Sequence, residues 1–215
     1  MTTQSSHGPD VSFWEERFAT NTTPWDRGAA SPQLARWLES GELAPCRVVV
    51  PGCGSGHEVA ALAQAGFEVL ALDYAGAAVE RTRARVAALG AAERARVQVV
   101  QADATRWLPD DAVEAVYEQT CLCALHPDLW VGYAAQLHRW IRPGGRLFAL
   151  FVQMLRDTAS QGFVHGPPYH CDINAMRALF PHAHWHWPAP PYARVPHPSG
   201  MAELAVVLQR REATG

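Results

Sequence analysis

The sequence predicts an α/β protein with a doubly wound, mainly parallel seven-stranded sheet that ends in an antiparallel hairpin. Three observations carry that expectation. Short apolar runs alternate with segments of helical length from Arg47 to Val152, the pattern of strands covered by helices on both faces. The first run, Val48 to Val50, ends in the turn Gly52-Cys53-Gly54-Ser55-Gly56 and leads into a helical segment, as in sheets that bind ligands at their strand ends. Finally, two late apolar runs are joined by a loop without a crossover helix, which suits antiparallel pairing.

The elements follow in order. Met1 to Asp10 is polar and reads as a loose tail, so residues 1–12 are expected to be flexible and residues 13–215 to form one domain. Ser12 is placed to cap a short helix, Phe13 to Phe18. Asn21 to Ala30, punctuated by Pro24 and Gly28, reads as a loop. Ser31-Pro32 opens a second helix, with proline at its favourable first position and Gly41 as its stop. Strands are expected over 48–50, 67–72, 97–100 and 112–117, with helices over 58–65 and 77–89. A helix from Pro127 to Ile141 is stopped by Pro143-Gly144-Gly145, and Arg146 to Val152 is the fifth strand. After a helix from Ile173 to Leu179, His182 to Trp187 and Glu203 to Gln209 supply the last two strands.

Composition sets the outer bounds. The chain has 215 residues, 48% apolar and 18% charged, enough for a single domain with a sizeable core. A net charge of −3 with no basic face argues against a nucleic-acid partner held through phosphates. No apolar run reaches the roughly 18 residues of a membrane span, and the N-terminus lacks the basic-then-apolar order of a secretory signal. Cys46, Cys53, Cys121, Cys123 and Cys171 are odd in number and unevenly spaced, so free thiols in a reducing cytoplasm are expected. The paired spacing that zinc prefers is missing, and no metal is expected.

Three strand ends carry the chemistry. Glycines at 52, 54 and 56 let a ligand approach the backbone closely. The dinucleotide pattern wants its third glycine two residues further on, where Glu58 stands, so the shorter turn suits a nucleoside without pyrophosphate. A plain strand-to-helix link is the alternative. Asp73 ends the second strand about twenty residues later, where a carboxylate accepts hydrogen bonds from ribose hydroxyls; capping the next helix is its other use. Asp103 follows the third strand, suited to accept from an exocyclic amine of adenine while Ala104 leaves room for the ring. A turn-forming role is its alternative. No lysine follows the glycine turn, which argues against a nucleoside triphosphate.

With these residues in view, the sequence resembles the class I, Rossmann-like methyltransferases, and among them the thiopurine S-methyltransferase family, especially its thiol and halide methyltransferase branch. The likeness rests on Phe13-Trp14-Glu15-Glu16-Arg17-Phe18, Thr23-Pro24-Trp25-Asp26 and Val50-Pro51-Gly52-Cys53-Gly54-Ser55-Gly56-His57-Glu58. Cys123-Ala124-Leu125-His126-Pro127, Arg142-Pro143-Gly144-Gly145 and Gly166-Pro167-Pro168-Tyr169 extend it. The resemblance implies S-adenosylmethionine as cofactor, with an N-terminal helical lid over about 13–41. Trp14, Phe18 and Trp25 would belong to that lid. Gly52 would line the methionine portion, Asp73 the ribose, and Asp103 with Ala104 the adenine, with Gly54 and Tyr74 as further cofactor contacts. An aromatic lid suits both a sulfonium and a flat base. Trp37, Trp107, Trp130 and Trp140 are assigned to packing.

Two positions depart from that branch. Phe18 stands where a second tryptophan is usual, and Glu118-Gln119 replaces Asp-Tyr or, in the thiopurine branch, Asp-Arg. Gln119 remains a candidate contact for the cofactor's carboxylate or the acceptor, without a charge. The implied reaction is in-line methyl transfer to a small soft nucleophile such as a thiol, thiopurine, hydrosulfide or halide. Trp25, Cys123, Pro167 and Tyr169 are expected on the acceptor side. No catalytic base is assigned, because a thiol of pKa near 8.5 already holds a few per cent thiolate at neutral pH; His126 and His170 read as structural. His182, His184 and His186 alternate on an expected strand and read as surface residues rather than a metal site. Oxygen, nitrogen or metalloid acceptors, and a cofactor-binding module without chemistry, are the competing functions. A small molecule is the expected partner of a monomer.

Overall fold

The computed structural model describes residues 8–154, 164–212. Its strands are β1 (Arg47–Pro51), β2 (Glu68–Asp73), β3 (Val97–Gln101), β4 (Val113–Gln119), β5 (Ile141–Gln153), β6 (Trp185–His186), β7 (Ala193–Pro196) and β8 (Ala202–Arg210). Its α-helices are α1 (Val11–Ala19), α2 (Pro32–Glu39), α3 (His57–Gln64), α4 (Gly76–Ala87), α5 (Ala91–Arg94), α6 (Trp130–Trp140) and α7 (Ile173–Leu179). The sheet runs β3-β2-β1-β4-β5-β8-β6, with β7 also on β8. β1 to β5 pair in parallel, whereas β8 lies antiparallel to β5, β6 and β7.

The alternating pattern of β1 divides the core into two layers. Val49 packs with α6 and α7 on one face. Val48 and Val50 pack with α2 and α3 on the other. All three valines are at most 4% exposed, and full burial of such a side chain contributes about 1.5–3 kcal/mol. The four tryptophans expected to pack do so. Trp37 lies edge-on to Tyr117 and Phe148, Trp140 against Trp107, and the Trp130 indole donates to the Leu122 and Leu125 carbonyls.

Several boundaries differ from expectation for identifiable reasons. Asp10, not Ser12, is the N-cap of α1, accepting from the Phe13 N–H at 3.1 Å. The expected tail is therefore corrected at its inner end, and its remainder, residues 1–7, lies outside the described residues. α5 was not anticipated, being only four residues long. β5 begins at Ile141 and carries Pro143-Gly144-Gly145 through an irregular pairing between Val113 and Ala115. The C-terminal segment forms three strands rather than two, giving eight among the described residues. β6 pairs only Trp185 and His186, so His182 and His184 lie off the strand and the expected histidine alternation is not formed. The sequence order reverses between β1 and β4, which opens a crevice at their carboxyl ends.

Candidate active site

A cavity of about 690 Å³ fills that crevice, within the range of about 300–1,000 Å³ typical of small-molecule sites. Gly52 and Gly54 form part of its floor. Both have positive φ, +60° and +54°, which a side chain tolerates poorly. A Cβ on Gly52 would also lie 3.0 Å from the Cys121 Cβ. Gly56 has φ +74° but packs on Thr82 of α4, so its lack of a side chain serves the helix–turn contact.

Asp73 and Asp103 face the cavity from neighbouring strand ends. Asp73 is 8% exposed; one carboxylate oxygen accepts from the Gly54 N–H at 2.9 Å and the other from Ala75 N–H at 3.0 Å. Burial raises its pKa against those two donors. Each oxygen keeps acceptor capacity, so helix docking and ligand binding are compatible uses of one side chain. Asp103 likewise accepts from the Thr105 N–H and hydroxyl through one oxygen, at 2.8 and 2.6 Å. Its other oxygen lies 3.7 Å from Arg106. Ala104 and Tyr74 complete this side.

The N-terminal segment closes the cavity from above. Trp14, Phe18 and Trp25 meet edge-to-face, with Trp25 5.6 Å from Trp14 and 6.0 Å from Phe18. Phe18 also packs on Ala75 and Ala78, so its loss of an indole donor is matched by burial in a small apolar cluster. α1 is fastened to α4 through Glu15, which accepts from the Gly76 N–H and, at 2.9 Å, from the Ala77 N–H. Arg81 of α4 reaches back to the Phe18 carbonyl and the Asn21 side chain. The following loop is tied down by Asp26, which accepts from the Ser55 hydroxyl at 2.5 Å and meets His57 at 3.0 Å. Burial opposes the Asp26 charge, but Ser55, the Gly28 N–H and His57 together hold its pKa below the usual value.

On the opposite side, Cys121, Cys123, Val152, Pro167 and Met201 line the cavity. Burial pushes the thiols of Cys121 and Cys123 well above their usual pKa. They stay protonated and present soft apolar walls rather than competing nucleophiles. Tyr169, expected here, is not in the lining. It is 5% exposed, donates its N–H to the Cys123 carbonyl at 2.7 Å and packs edge-on to His126; Pro168 takes its place at the surface. His126 lines the cavity, with Nδ1 accepting from the Asp128 N–H at 3.3 Å. His170 is spent on the Met154 N–H.

Gln119 is at the cavity, but its amide is held by the protein. Its carbonyl accepts from Tyr117 at 2.8 Å, and its NH₂ donates to Glu203 at 3.1 Å. Glu203, 1% exposed, also pairs with Arg27 at 2.8 Å. Sequence reading missed both Arg27 and Glu203. Arg27 directly follows the matching Thr23 to Asp26 stretch; Glu203 sits 84 residues beyond Gln119 on the last strand, with no local pattern to reveal it. Among the described residues, no group of three or more His, Cys, Asp or Glu side chains is arranged to hold a metal, and no helix is long and apolar enough to cross a membrane.

A family model described as thiopurine S-methyltransferase matches residues 9–189. The chain belongs to the thiopurine S-methyltransferase family. Among its relatives, a probable thiol methyltransferase 2 of Arabidopsis thaliana is 31% identical over 161 residues, covering 75% of this chain and 68% of that protein. A thiopurine S-methyltransferase of Pseudomonas putida (strain GB-1) is 30% identical over 172 residues, covering 74% and 77%. The crystal structure of Burkholderia thailandensis 1,6-didemethyltoxoflavin-N1-methyltransferase, solved with 1,6-didemethyltoxoflavin and S-adenosylhomocysteine, aligns over 99% of both chains. Its TM-score is 0.73 at 18% identity, a likeness of fold. The family's reaction is S-adenosylmethionine-dependent methyl transfer to sulfur. The residues fit that cofactor. Asp73 and Asp103 retain acceptor capacity toward the cavity, and Arg27 lines it with a buried Nε that has no hydrogen-bond partner among the described residues.

Proposed function

We propose that this chain methylates a small soft nucleophile, sulfur before all others, inside the cavity under the N-terminal lid. One observation carries the reading: Gly52 and Gly54, Asp73, and Asp103 line a single cavity at the sheet's switch point, beneath Trp14, Phe18 and Trp25. When bound, S-adenosylmethionine supplies an electrophilic methyl group and leaves as S-adenosylhomocysteine. Asp73 and Tyr74 would hold the ribose, Asp103 and Ala104 the adenine, and the aromatic lid the sulfonium face. Trp25, Cys123 and Pro167 would set the acceptor's approach.

What the protein contributes to the chemistry is alignment, which in well-oriented systems contributes about 7–11 kcal/mol. No side chain is assigned as general base. His126 Nδ1 lies 3.3 Å from both the Asp128 N–H and the Asp128 carboxylate, so that nitrogen is engaged by the protein. With no base assigned, the acceptors that suit this site are those nucleophilic without losing a proton to the protein, such as a thiolate or a polarisable sulfur. Five free cysteines among the described residues support a reducing, cytoplasmic setting.

The test is incubation with methyl-labelled S-adenosylmethionine and a panel of thiols, hydrosulfide, iodide, thiopurines, selenite, tellurite, phenols and amines. Labelled thioethers or methanethiol are the expected products. Turnover of phenols or amines alone would overturn the sulfur assignment, and no turnover with any acceptor, alongside no binding of S-adenosylhomocysteine, would overturn the enzymatic one.

A further inference from the structure

Arg27 is the buried cation of the cavity, its side chain 9% exposed. One terminal nitrogen donates to the Pro196 carbonyl at 2.9 Å and the other to Glu203 at 2.8 Å. A guanidinium carries five N–H donors, so three are left over, and burying donors without partners is costly. The other two arginines at the cavity are differently placed. Arg106 is 87% exposed beside Asp103, and the Arg17 guanidinium, whose Nε is also buried without a hydrogen-bond partner among the described residues, lies 4.2 Å above the Phe13 ring and pairs with no carboxylate there.

The surroundings of Arg27 distinguish the kinds of anion that suit it. Glu203 pairs with it directly. Asp26, which is bonded to Ser55 and His57, lines the same cavity, as does Glu58, whose carboxylate accepts from the Ser31 N–H at 3.0 Å. His197 presents Nε2 to the Trp25 carbonyl at 3.0 Å. A lone anion at Arg27 would share the cavity with the carboxylates of Asp26 and Glu58 uncompensated, Glu203 being bound to the guanidinium outside the lining. A zwitterion would not, because its ammonium group answers them while its carboxylate takes the guanidinium. Gln119, in contrast, has its carbonyl and one N–H consumed by Tyr117 and Glu203.

We infer that Arg27 binds the α-carboxylate of the cofactor's amino-acid end, with the neighbouring carboxylates receiving the α-ammonium. This rests on the reading of S-adenosylmethionine as methyl donor. The role falls to a residue of the N-terminal loop, so the same loop that carries Trp25 over the cavity also reads the ligand's charge. Arg27 is then a binding residue that makes cofactor recognition depend on lid closure.

The test uses calorimetric titration of the full-length protein with three ligands: S-adenosylhomocysteine, its decarboxylated analogue, and 5′-methylthioadenosine, which lacks the amino-acid end altogether. The wild-type protein should bind S-adenosylhomocysteine about 10- to 100-fold more tightly than the decarboxylated analogue, the value of a charge-assisted hydrogen bond. In Arg27→Gln that gap should shrink below about threefold, with 5′-methylthioadenosine bound as in the wild type. Arg27→Lys should restore part of the gap. Since Arg27→Gln leaves Glu203 buried without its cation, the double variant R27Q/E203Q removes both charges and should show the same lost discrimination. A persisting gap in both variants, or equal weakening for all three ligands, overturns the role of Arg27. If instead S-adenosylhomocysteine affinity is unchanged and only the KM for hydrosulfide or thiocyanate rises, the inference is overturned in favour of an acceptor site. Failure of the wild type to bind any of the three ligands sinks the cofactor reading itself, and this inference with it.

Discussion

Replacing Gly56 by alanine tests whether the glycine turn serves the ligand or the fold. At φ +74° a Cβ would lie 2.8 Å from the Thr82 hydroxyl and 3.0 Å from the Thr82 Cα and Cγ2. Thr82 is fully buried, and its hydroxyl donates to the Gly54 carbonyl at 3.0 Å, so it has no free direction in which to yield. The left-handed backbone costs an L-residue roughly 1–2 kcal/mol and overpacking about 1–3 kcal/mol. The sum, roughly 2–5 kcal/mol, corresponds to a fall in Tm of about 4–20 °C for a chain of this size. Thermal denaturation followed by circular dichroism reads that loss. Gly56 does not line the cavity, so S-adenosylhomocysteine affinity at a temperature where the variant is folded should change less than about threefold. In a Thr82→Ala background the Gly56→Ala cost should be smaller, since two of the three close atoms are gone. Equal costs in both backgrounds, or a Tm within about 2 °C of wild type, would refute the steric account.

Three further outcomes follow from the site. Asp73→Ala removes the acceptor of two backbone N–H groups and of the proposed ribose bonds, so S-adenosylhomocysteine and 5′-methylthioadenosine should both weaken about 10- to 100-fold by calorimetry; unchanged affinity would exclude the ribose role. Glu15→Gln gives up the charge that meets the start of α4, an interaction of about 1–2 kcal/mol, so amide exchange in residues 11–19 should accelerate about 5- to 30-fold while β1 and β4 keep their protection. Equal rates in α1 would show that the lid is held elsewhere. Burial raises the Glu118 carboxyl from 4.5 to about 7, against the Leu122 N–H that it accepts and with the charge of Glu203 adding to the rise. The unfolded chain releases this proton above 4.5 while the folded chain retains it, so Glu118 makes stability fall as pH rises between those values. The full effect is on the order of 3 kcal/mol. Glu118→Gln should therefore be more stable relative to wild type at pH 8 than at pH 4.5 in urea titrations; a constant difference would refute the assignment.

The parts legible in the sequence are those fixed by local pattern. Val48 to Val50 announces a buried strand, Ser31-Pro32 a helix start, and Asp73 and Asp103 strand ends, because each uses a few adjacent residues to satisfy backbone and burial requirements at once. The illegible parts depend on long-range pairing. Gln119 reads locally as a polar contact awaiting a ligand, but Tyr117 and the distant Glu203 hold its carbonyl and one of its N–H groups. Tyr169 looked like a wall because Gly166 to Tyr169 reads as a rigid loop, yet the loop turns its tyrosine inward and presents Pro167 and Pro168. Arg27 carried no signal beyond its place after Asp26, since its importance comes from Glu203 on the opposite end of the chain. The same separation explains how the site can be built in two stages. β2 and β3 present Asp73 and Asp103, the carboxylates proposed for adenosine, at the ends of a buried sheet, whereas the lid is tied by bonds to α4, to the turn after β1 and to the β7–β8 hairpin. On the proposed reading, adenosine recognition belongs to the scaffold, and recognition of the charged end belongs to the lid. A ligand lacking the amino-acid end is expected to bind the scaffold without reaching Arg27.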